Sequence, residues 1–463
     1  METLQRLQNR GSVSTGYEIA NSLKFEADNS EYLKWTNIST YATSARKKTF
    51  SFSVWFKISE LGVQRTIWGT AANGYLLLQA DGELKWQQSY GSVVKVLQTN
   101  RVLRDTSAWY NVIVAVDTTQ ATEANRQRIY INGVEETSFS TSTYPSQNDE
   151  ADNVYESHHS LGAYNSSSIF WSGYMANVAF ISDAQITPSD VGEFDEDSGI
   201  WKPKAYSGGS APSYFLEFKD SSDLGTATGL DADTLNNIAA ADQSTDTPTN
   251  NFCTMNPLWA ASYITYTEGA TNVDTTGSGW MSMVSTFAVS KGKWYWEFKR
   301  DSGNAFVGIV DTEDDDIPRS TDGYFFGYND DSSTNSIGLY SANGQVYNSP
   351  GGTPDAAGFT TSNIVGVAVD MDNYKLYYHI DGTYAGSMDP ANGTGGVTIP
   401  TTWTSDSIYM GFSGFNGSYA VNFGGYTTIS ISSAANDGQY GTFEYAPPSG
   451  YYALCTKRLA EYG

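Results

Sequence analysis

The 463-residue chain carries 51 Asp and Glu against 26 Lys and Arg, a formal net charge of −25 at pH 7. That balance excludes binding to nucleic-acid backbones and anionic membranes, which recruit clustered Lys and Arg, and no segment reaches the roughly 18 consecutive apolar residues that span a bilayer. Aromatic residues make up 14%, with 32 Tyr, 12 Trp and 44 Gly, a mixture that favours half-buried pleated strands and tight turns, hence an all-β chain of two or three domains.

Met1–Arg10 is polar and helix-prone, with Leu4 and Leu7 three apart on one face, yet too short to be stable alone. It lacks the charged start and apolar core of a signal peptide, so synthesis in a cytoplasm is expected. With the Ser/Thr/Gly hinge that follows, residues 1–16 read as a docking arm. From Tyr17 to Tyr206 strand signals recur at sandwich spacing. Thr49 to Ile58 alternates Phe50, Phe52, Val54 and Phe56 with small polar residues, and Trp109 to Asp117 and Arg128 to Asn132 flank a polar corner ending in Asn132-Gly133. Thr187-Pro188-Ser189-Asp190 predicts a helix start, with Thr as N-cap, Pro at the first position and Asp at the capping-box position.

These residues carry a resemblance. Ser22–Phe25 with Tyr32-Leu33, Phe50–Lys57, Trp109–Asp117, Ile129–Val134 and Trp171–Ile181 resemble, in that order, the laminin-G, pentraxin and concanavalin-like lectin sandwich. The runs Gly11–Ile19, Ser142–Gln147 and Trp201–Lys204 are similar to virion proteins of marine bacteriophages. The first ten residues depart from the usual start of those proteins.

Residues 207–249 read as a connector with a return strand near 214–218, and residues 250–463 as a second domain. Its centre is Ile364 to Gly382: Val365, Val367 and Val369 share one face, a polar corner follows, and Leu376, Tyr378 and Ile380 alternate before Asp381-Gly382. Together with Gly292–Glu297, Val307–Ile309, Gly323-Tyr324 and Val421–Gly424 this order resembles the SPRY (B30.2) domain, a bent two-sheet sandwich that binds partners through loops. The expected fold is therefore two antiparallel β-sandwiches of jelly-roll type, laminin-G/concanavalin-like over 17–206 and SPRY-like over 250–463. Thr456 to Tyr462 reads as a short helical tail.

No catalytic constellation stands out. Glycoside hydrolysis needs two opposed carboxylates, often borne on one strand as E-x-D-x-x-E, and the nearest run, Glu193 to Ser198, ends in Ser where Glu is required. His158 and His159 are expected in a polar loop, and His379 on a strand; adjacent strand residues point to opposite faces and cannot share a metal. Oxygen-rich loops at Asp311, Glu313, Asp314, Asp315 and Asp316, and at Asp370 and Asp372, are candidates for a structural Ca²⁺, although no cofactor is required by the sequence. Cys253 and Cys455 flank the second domain and are candidate neighbours; the bond between them stays open. Candidate binding residues are loop aromatics whose faces suit sugar rings or partner side chains: Trp171, Trp280, Tyr324, Phe325, Tyr328 and Trp403. About two or three of these are expected at the surface and the others in the cores.

The resemblance implies a virion structural protein, not an enzyme, on the tail or capsid exterior. As a fibre or spike it would meet a host-surface glycan or protein through sandwich loops, with other virion proteins and identical chains, in a homotrimer by analogy with phage fibres, as its partners. Two other roles stay open: a capsid decoration or head-fibre protein that stabilises the particle, and a glycan-active enzyme.

Overall fold

A computed structural model describes residues 16–463 except 37, 153, 156–157, 210–211, 260–262, 278, 314–325, 328–334, 349–351, 355–357 and 404–405. All but Gly16 of the docking arm expected over residues 1–16 lies outside them. The described residues form two all-β units that divide between Thr249 and Asn250.

The first unit is a sandwich of two antiparallel sheets. One runs in the order Val134–Glu135, Gln127–Ile131, Trp109–Asp117, Thr49–Ile58, Gly173–Ser182, Ser22–Phe25 and Gln243–Ser244, with Pro212–Leu216 added beside Gly173–Ser182. The other runs from Phe139–Ser142 through Val93–Val102, Glu83–Tyr90, Tyr75–Leu78, Arg65–Thr70, His159–Leu161 and Tyr32–Trp35 to Thr234–Asn236. The alternation in Thr49–Ile58 turns Phe50, Phe52, Val54 and Phe56 into a core with Trp68, Trp86, Trp171 and Phe180, and each such burial contributes roughly 1.5–3 kcal/mol. Residues 207–249 are an integral part of this sandwich, since they supply strands to both of its sheets. The expected helix at Thr187 is a single 3-10 turn, Pro188–Asp190, closed by a capping box in which Thr187 N donates to Asp190 at 2.8 Å. It stops there because Gly192–Phe194 turns back as a short hairpin with Trp201–Pro203.

Thr49–Ile58 presents Ser51, Ser53, Trp55 and Lys57 on its outer face, which two later segments cover. The first begins at Ala184, whose carbonyl accepts from Ser51 Oγ at 2.9 Å while Ile186 N donates to the same hydroxyl at 3.0 Å. Its Trp201 indole donates to Asn111 at 3.1 Å and lies over Gly133, where a Cβ would come within 2.3 Å of the ring. The second cover is held by charge. Lys57, 1% exposed, pairs with Asp246 at 2.8 Å; Trp109 Nε1 donates to the other Asp246 oxygen at 3.0 Å. Lys24, also buried, pairs with Glu31 at 3.2 Å and with Asp242 at 2.9 Å. A lysine buried without its carboxylate costs several kcal/mol, so the pairs to Asp242 and Asp246 tie the end of the unit to its sheet.

The second unit is also a two-sheet sandwich. Its larger sheet runs Ile264–Thr267, Asn272–Thr275, Ser418–Asn422, Lys293–Arg300, Val365–Asp370, Lys375–Ile380 and Thr383–Tyr384. It is antiparallel apart from the short pairing of Trp294-Tyr295 with Tyr452-Ala453. The smaller sheet runs Trp280–Val289, Ile408–Phe415, Asn304–Asp311, Ser336–Tyr340, Gln345–Tyr347 and Gly352–Pro354. Val365, Val367 and Val369 enter the core between the sheets, and their hairpin closes in register from Val365–Ile380 to Asp370–Lys375. Thr456–Tyr462 is a helix, and Arg458 anchors it with a two-pronged pair to Asp437 at 2.9 and 2.8 Å. Cys253 and Cys455 are buried free thiols on adjoining segments, with Cys253 N donating to Leu454 O at 2.9 Å.

Removing Asp246 tests the charged cover. Asp246→Ala is expected to cost about 3–5 kcal/mol in urea unfolding, because Lys57 stays buried without a counter-charge. Lys57→Met in the same chain should recover most of that loss. An unchanged midpoint for Asp246→Ala would show that the pair holds nothing down.

Candidate binding site

The acidic run Glu193 to Ser198 is a hairpin turn. Asp195 accepts from the Ser198 amide at 2.9 Å, and Lys202 Nζ stands 3.3 Å from Asp195 and 3.4 Å from Glu193. A turn-forming carboxylate neutralised by lysine is poorly suited to acid–base work.

His159 departs from the expected polar loop: it opens the His159–Leu161 strand and is fully buried. The Val154 carbonyl, 2.6 Å from Nε2, can only accept, so Nε2 carries the proton and Nδ1 accepts from Tyr214 OH at 3.3 Å. Trp68 Nε1 in turn donates to Tyr214 OH at 3.1 Å. With Trp68 and Phe180 edge-on at 4.8 and 4.7 Å, burial holds the imidazole neutral, its pKa pushed down to about 3.

His379 is set in a comparable network on the outer face of the second unit's larger sheet. Its Nε2 lies 2.8 Å from Tyr295 OH, and a Cβ on the cross-strand Gly366 would come within 1.9 Å of that nitrogen. Burial lowers its pKa to about 4. Glu297, with no exposed surface, accepts from the amides of Tyr445 at 2.7 Å and Glu444 at 3.0 Å and from Asn422 Nδ2 at 3.0 Å. Burial raises the Glu297 pKa against those hydrogen bonds. The network thus fastens the covering segment 443–445 to its sheet, and no part of it meets solvent as an acid–base pair would need.

The oxygen-rich corner at Asp370 is occupied by the protein itself. Asp370 pairs with Lys293 at 2.9 Å and accepts from the Asn373 amide at 2.9 Å, and Asp372 accepts from Gly292 N at 2.9 Å. An ammonium group in contact with Asp370 repels a cation there, and Asp372 serves as a turn former through its bond from Gly292. Asp311 is buried and accepts from Asn335 Nδ2 at 3.2 Å, Glu313 is exposed, and Asp314, Asp315 and Asp316 lie outside the described residues. Among the described residues no group of three or more His, Cys, Asp or Glu side chains is placed to hold a metal. Burial pushes the Cys455 thiol up to about 12, which leaves it an inert core group.

The aromatic candidates separate sharply. Trp171 has no exposed surface and meets Phe56 edge-on at 5.3 Å in the first core, so it cannot stack on a ligand. Trp403 is partly buried against the second core. Tyr324, Phe325 and Tyr328 lie outside the described residues. Trp280 is different, because it stands on an aromatic outer face of the smaller sheet. Alternation along Asn304–Asp311 sends Ala305, Val307 and Ile309 into the core, while Phe306, only 2% exposed, joins Val284, Val310 and Phe326 in a smaller buried cluster on the other face. There Phe306 stacks on its cross-strand partner Tyr340 at 4.3 Å and 7°. Trp280 meets Phe306 edge-on at 4.9 Å and Phe415 at 5.5 Å, and Tyr347 meets Phe306 at 5.3 Å. Trp280, Tyr340, Tyr347 and Phe415 are half-buried. Amides rim the group: Tyr347 OH and Asn343 Nδ2 both donate to Gln345 Oε1 at 2.9 Å. Phe306 itself is buried, so it is the half-buried rings of Trp280, Tyr340, Tyr347 and Phe415, bordered by amides, that form a surface on which a sugar ring or a partner's side chain can stack and hydrogen-bond. Phe306, Tyr340 and Tyr347 were not singled out by sequence, since Ala305 to Val310 has no polar residue to tell one face from the other.

Residues 28–192 match a family model described as the concanavalin A-like lectin/glucanases superfamily. No curated protein matches the chain. Among solved structures it is similar to a human SPRY domain (12% identity, 35% of this chain and 94% of that one, TM-score 0.25). It is also similar to the TRIM65 PSpry domain (12%, 39% and 93%, 0.28) and to the heptameric SAP-like pentraxin from Limulus polyphemus (15%, 37% and 80%, 0.24). Likeness at that level carries no function across.

His159 makes stability pH-dependent with a definite sign. Its folded pKa of about 3 lies below the ordinary 6.5, so between those values the unfolded chain binds the extra proton. The contribution is therefore complete above pH 6.5 and lost as pH falls toward 3. His159→Gln is expected to lower stability at pH 7 by about 2–3 kcal/mol and to flatten the fall between pH 6.5 and 4. Calorimetric scans showing parallel pH profiles for the two proteins would contradict this.

Proposed function

We propose that the chain is a non-enzymatic binding protein of a bacteriophage particle. In this reading it is a tail-fibre or spike-type adhesin on the tail or capsid exterior, made in the host cytoplasm, that holds a host-surface glycan or protein. The observation that carries the reading is the aromatic outer face of the second sandwich, where the half-buried Trp280, Tyr340 and Tyr347 surround the buried Phe306 beside an amide rim. The lectin-type family model over residues 28–192 supports binding chemistry in the first sandwich as well. Against catalysis stands the use already made of the candidate groups: His159, His379 and Glu297 are spent inside buried hydrogen-bond networks. Weak contacts of this kind gain strength when several copies share one particle, as a homotrimer attached to other virion proteins would provide. A net charge of −25 keeps such a surface from nonspecific adhesion to anionic cell envelopes.

Particles carrying Trp280→Ala and Tyr340→Ala are expected to adsorb to host cells at least about tenfold more slowly while remaining intact, since each buried aromatic anchor is worth more than about 1 kcal/mol. Normal adsorption by particles that break more readily on heating would overturn the adhesin and favour a decoration role.

A further inference from the structure

One of the pinned lysines of the first sandwich has more around it than an ion pair requires. Leu23 and Phe25 point into the core, so Lys24 between them stands on the outer face of Ser22–Phe25. The antiparallel register Ser22–Ser244 and Leu23–Gln243 carries Asp242 to its side. Lys24 Nζ lies 2.9 Å from Asp242 Oδ1 and 3.2 Å from both oxygens of Glu31. Lys24, Glu31 and Asp242 are only 1%, 2% and 7% exposed, so bulk water is kept from all three groups.

One carboxylate neutralises one ammonium, and burying a second beside it is costly unless it carries a proton or has another use. Both carboxyls are held in fixed positions. Asp242 Oδ2 accepts from Ala239 N at 2.7 Å, which leaves Oδ1 to face the amine. Glu31 Oε2 accepts from Glu26 N at 2.7 Å, and Oε1 from Asn29 Nδ2 at 3.0 Å. Burial pushes the Glu31 carboxyl up to about 7, against the lowering influence of Lys24. A carboxyl that titrates near neutrality can take up a proton and return it. The pair at Lys57 differs, because Asp246 takes a hydrogen bond from the Trp109 indole, which has no proton to relay.

We propose that Lys24 and Asp242 condense into an isopeptide bond, with Glu31 as the proton relay between them. The ion pair is the state before the reaction. Glu31 takes a proton from the Lys24 ammonium, and the freed lone pair on Nζ attacks Asp242 Cγ. Glu31 passes its proton to a carboxyl oxygen of Asp242 and then relays a second one from the nitrogen. The C–O bond breaks and that oxygen leaves as water. Of the three ammonium protons two depart in the water and one stays on the amide nitrogen; the opposite charges of lysine and aspartate cancel, and Glu31 ends as it began. No oxidant, reductant or activating group enters the balance. The sheet register supplies the proximity that makes such a step effectively unimolecular, and exclusion of water disfavours its reversal. The bond would join the first strand of the unit to its last, Ser22–Phe25 to the segment entering Gln243–Ser244. A pull on the two ends of the unit would then pass through Lys24 and Asp242 and not through the sheets between them. The inference concerns the first sandwich and does not rest on the aromatic face of the second.

The test is mass spectrometry of the purified full chain after unfolding and tryptic digestion. The expected product is a branched peptide that joins Lys24 to Asp242, lighter by one water than the two separate peptides, with no cleavage after Lys24. Lys24→Arg should yield linear peptides only. Glu31→Gln, with folding checked by circular dichroism, should yield at least about tenfold less of the branched product, since a positioned proton relay contributes a factor of about 100 or more. Linear peptides alone from the unaltered chain would overturn the proposal without recourse to any variant, and an undiminished branched peptide in Glu31→Gln would overturn the relay. Because this readout needs neither particle nor host, it can fail while the adsorption experiment succeeds, and the reverse.

Discussion

A sheet has two faces, and in a sandwich only one of them is covered by its partner. The other must meet water, or be covered by chain that is itself held in place. In both units of this protein the holding is done by a buried charge. Lys57 and Lys24 on the outer face of the first sandwich are neutralised by Asp246 and Asp242 near the end of that unit. Glu297 on the outer face of the second accepts the amides of Glu444 and Tyr445 from its final segment. A buried charge is costly alone and acceptable when fully paired, so each sandwich is complete only when its last stretch of chain is in position. The Arg458–Asp437 pair gives the C-terminal helix the same kind of attachment.

The same device accounts for which parts of the outer faces stay uncovered. On the first sandwich the segments pinned at Ser51 and Lys57 leave Ser53 and Trp55 between them buried, with only a narrow space beside them. On the smaller sheet of the second unit the outer face is aromatic, with Phe306 and Tyr340 stacked across neighbouring strands. The groups that would suit catalysis by type, two histidines and a buried glutamate, are instead the internal connectors of these covers and cores.

Much of the fold was legible because its signal is local. Alternation in Thr49 to Ile58 and in Val365 to Ile380 predicts which side chains enter each core, and they do. What escaped the sequence depends on partners far away in the chain. His159 looks like a loop residue until Tyr214, 55 positions later, donates to it. Residues 207–249 look like a connector because their strands are short, and Asp246 reveals its role only through Lys57, 189 positions earlier. Trp171 looked available for binding because a Trp in a Ser- and Gly-rich stretch reads the same whether it caps a core or faces solvent. The candidate site was legible only at Trp280; its neighbours Phe306 and Tyr340 lie in strands without the polar alternation that would mark an outward face.

Native-state amide hydrogen exchange on the full chain tests the pinned covers most directly. If Glu297 holds the final segment to its sheet, the amides of Glu444 and Tyr445 will exchange only through global unfolding, with the denaturant dependence of core amides such as that of Val367. Fast exchange at those two amides, insensitive to denaturant while Val367 stays protected, would mean that the cover opens freely and that the buried charge does not hold the sandwich closed.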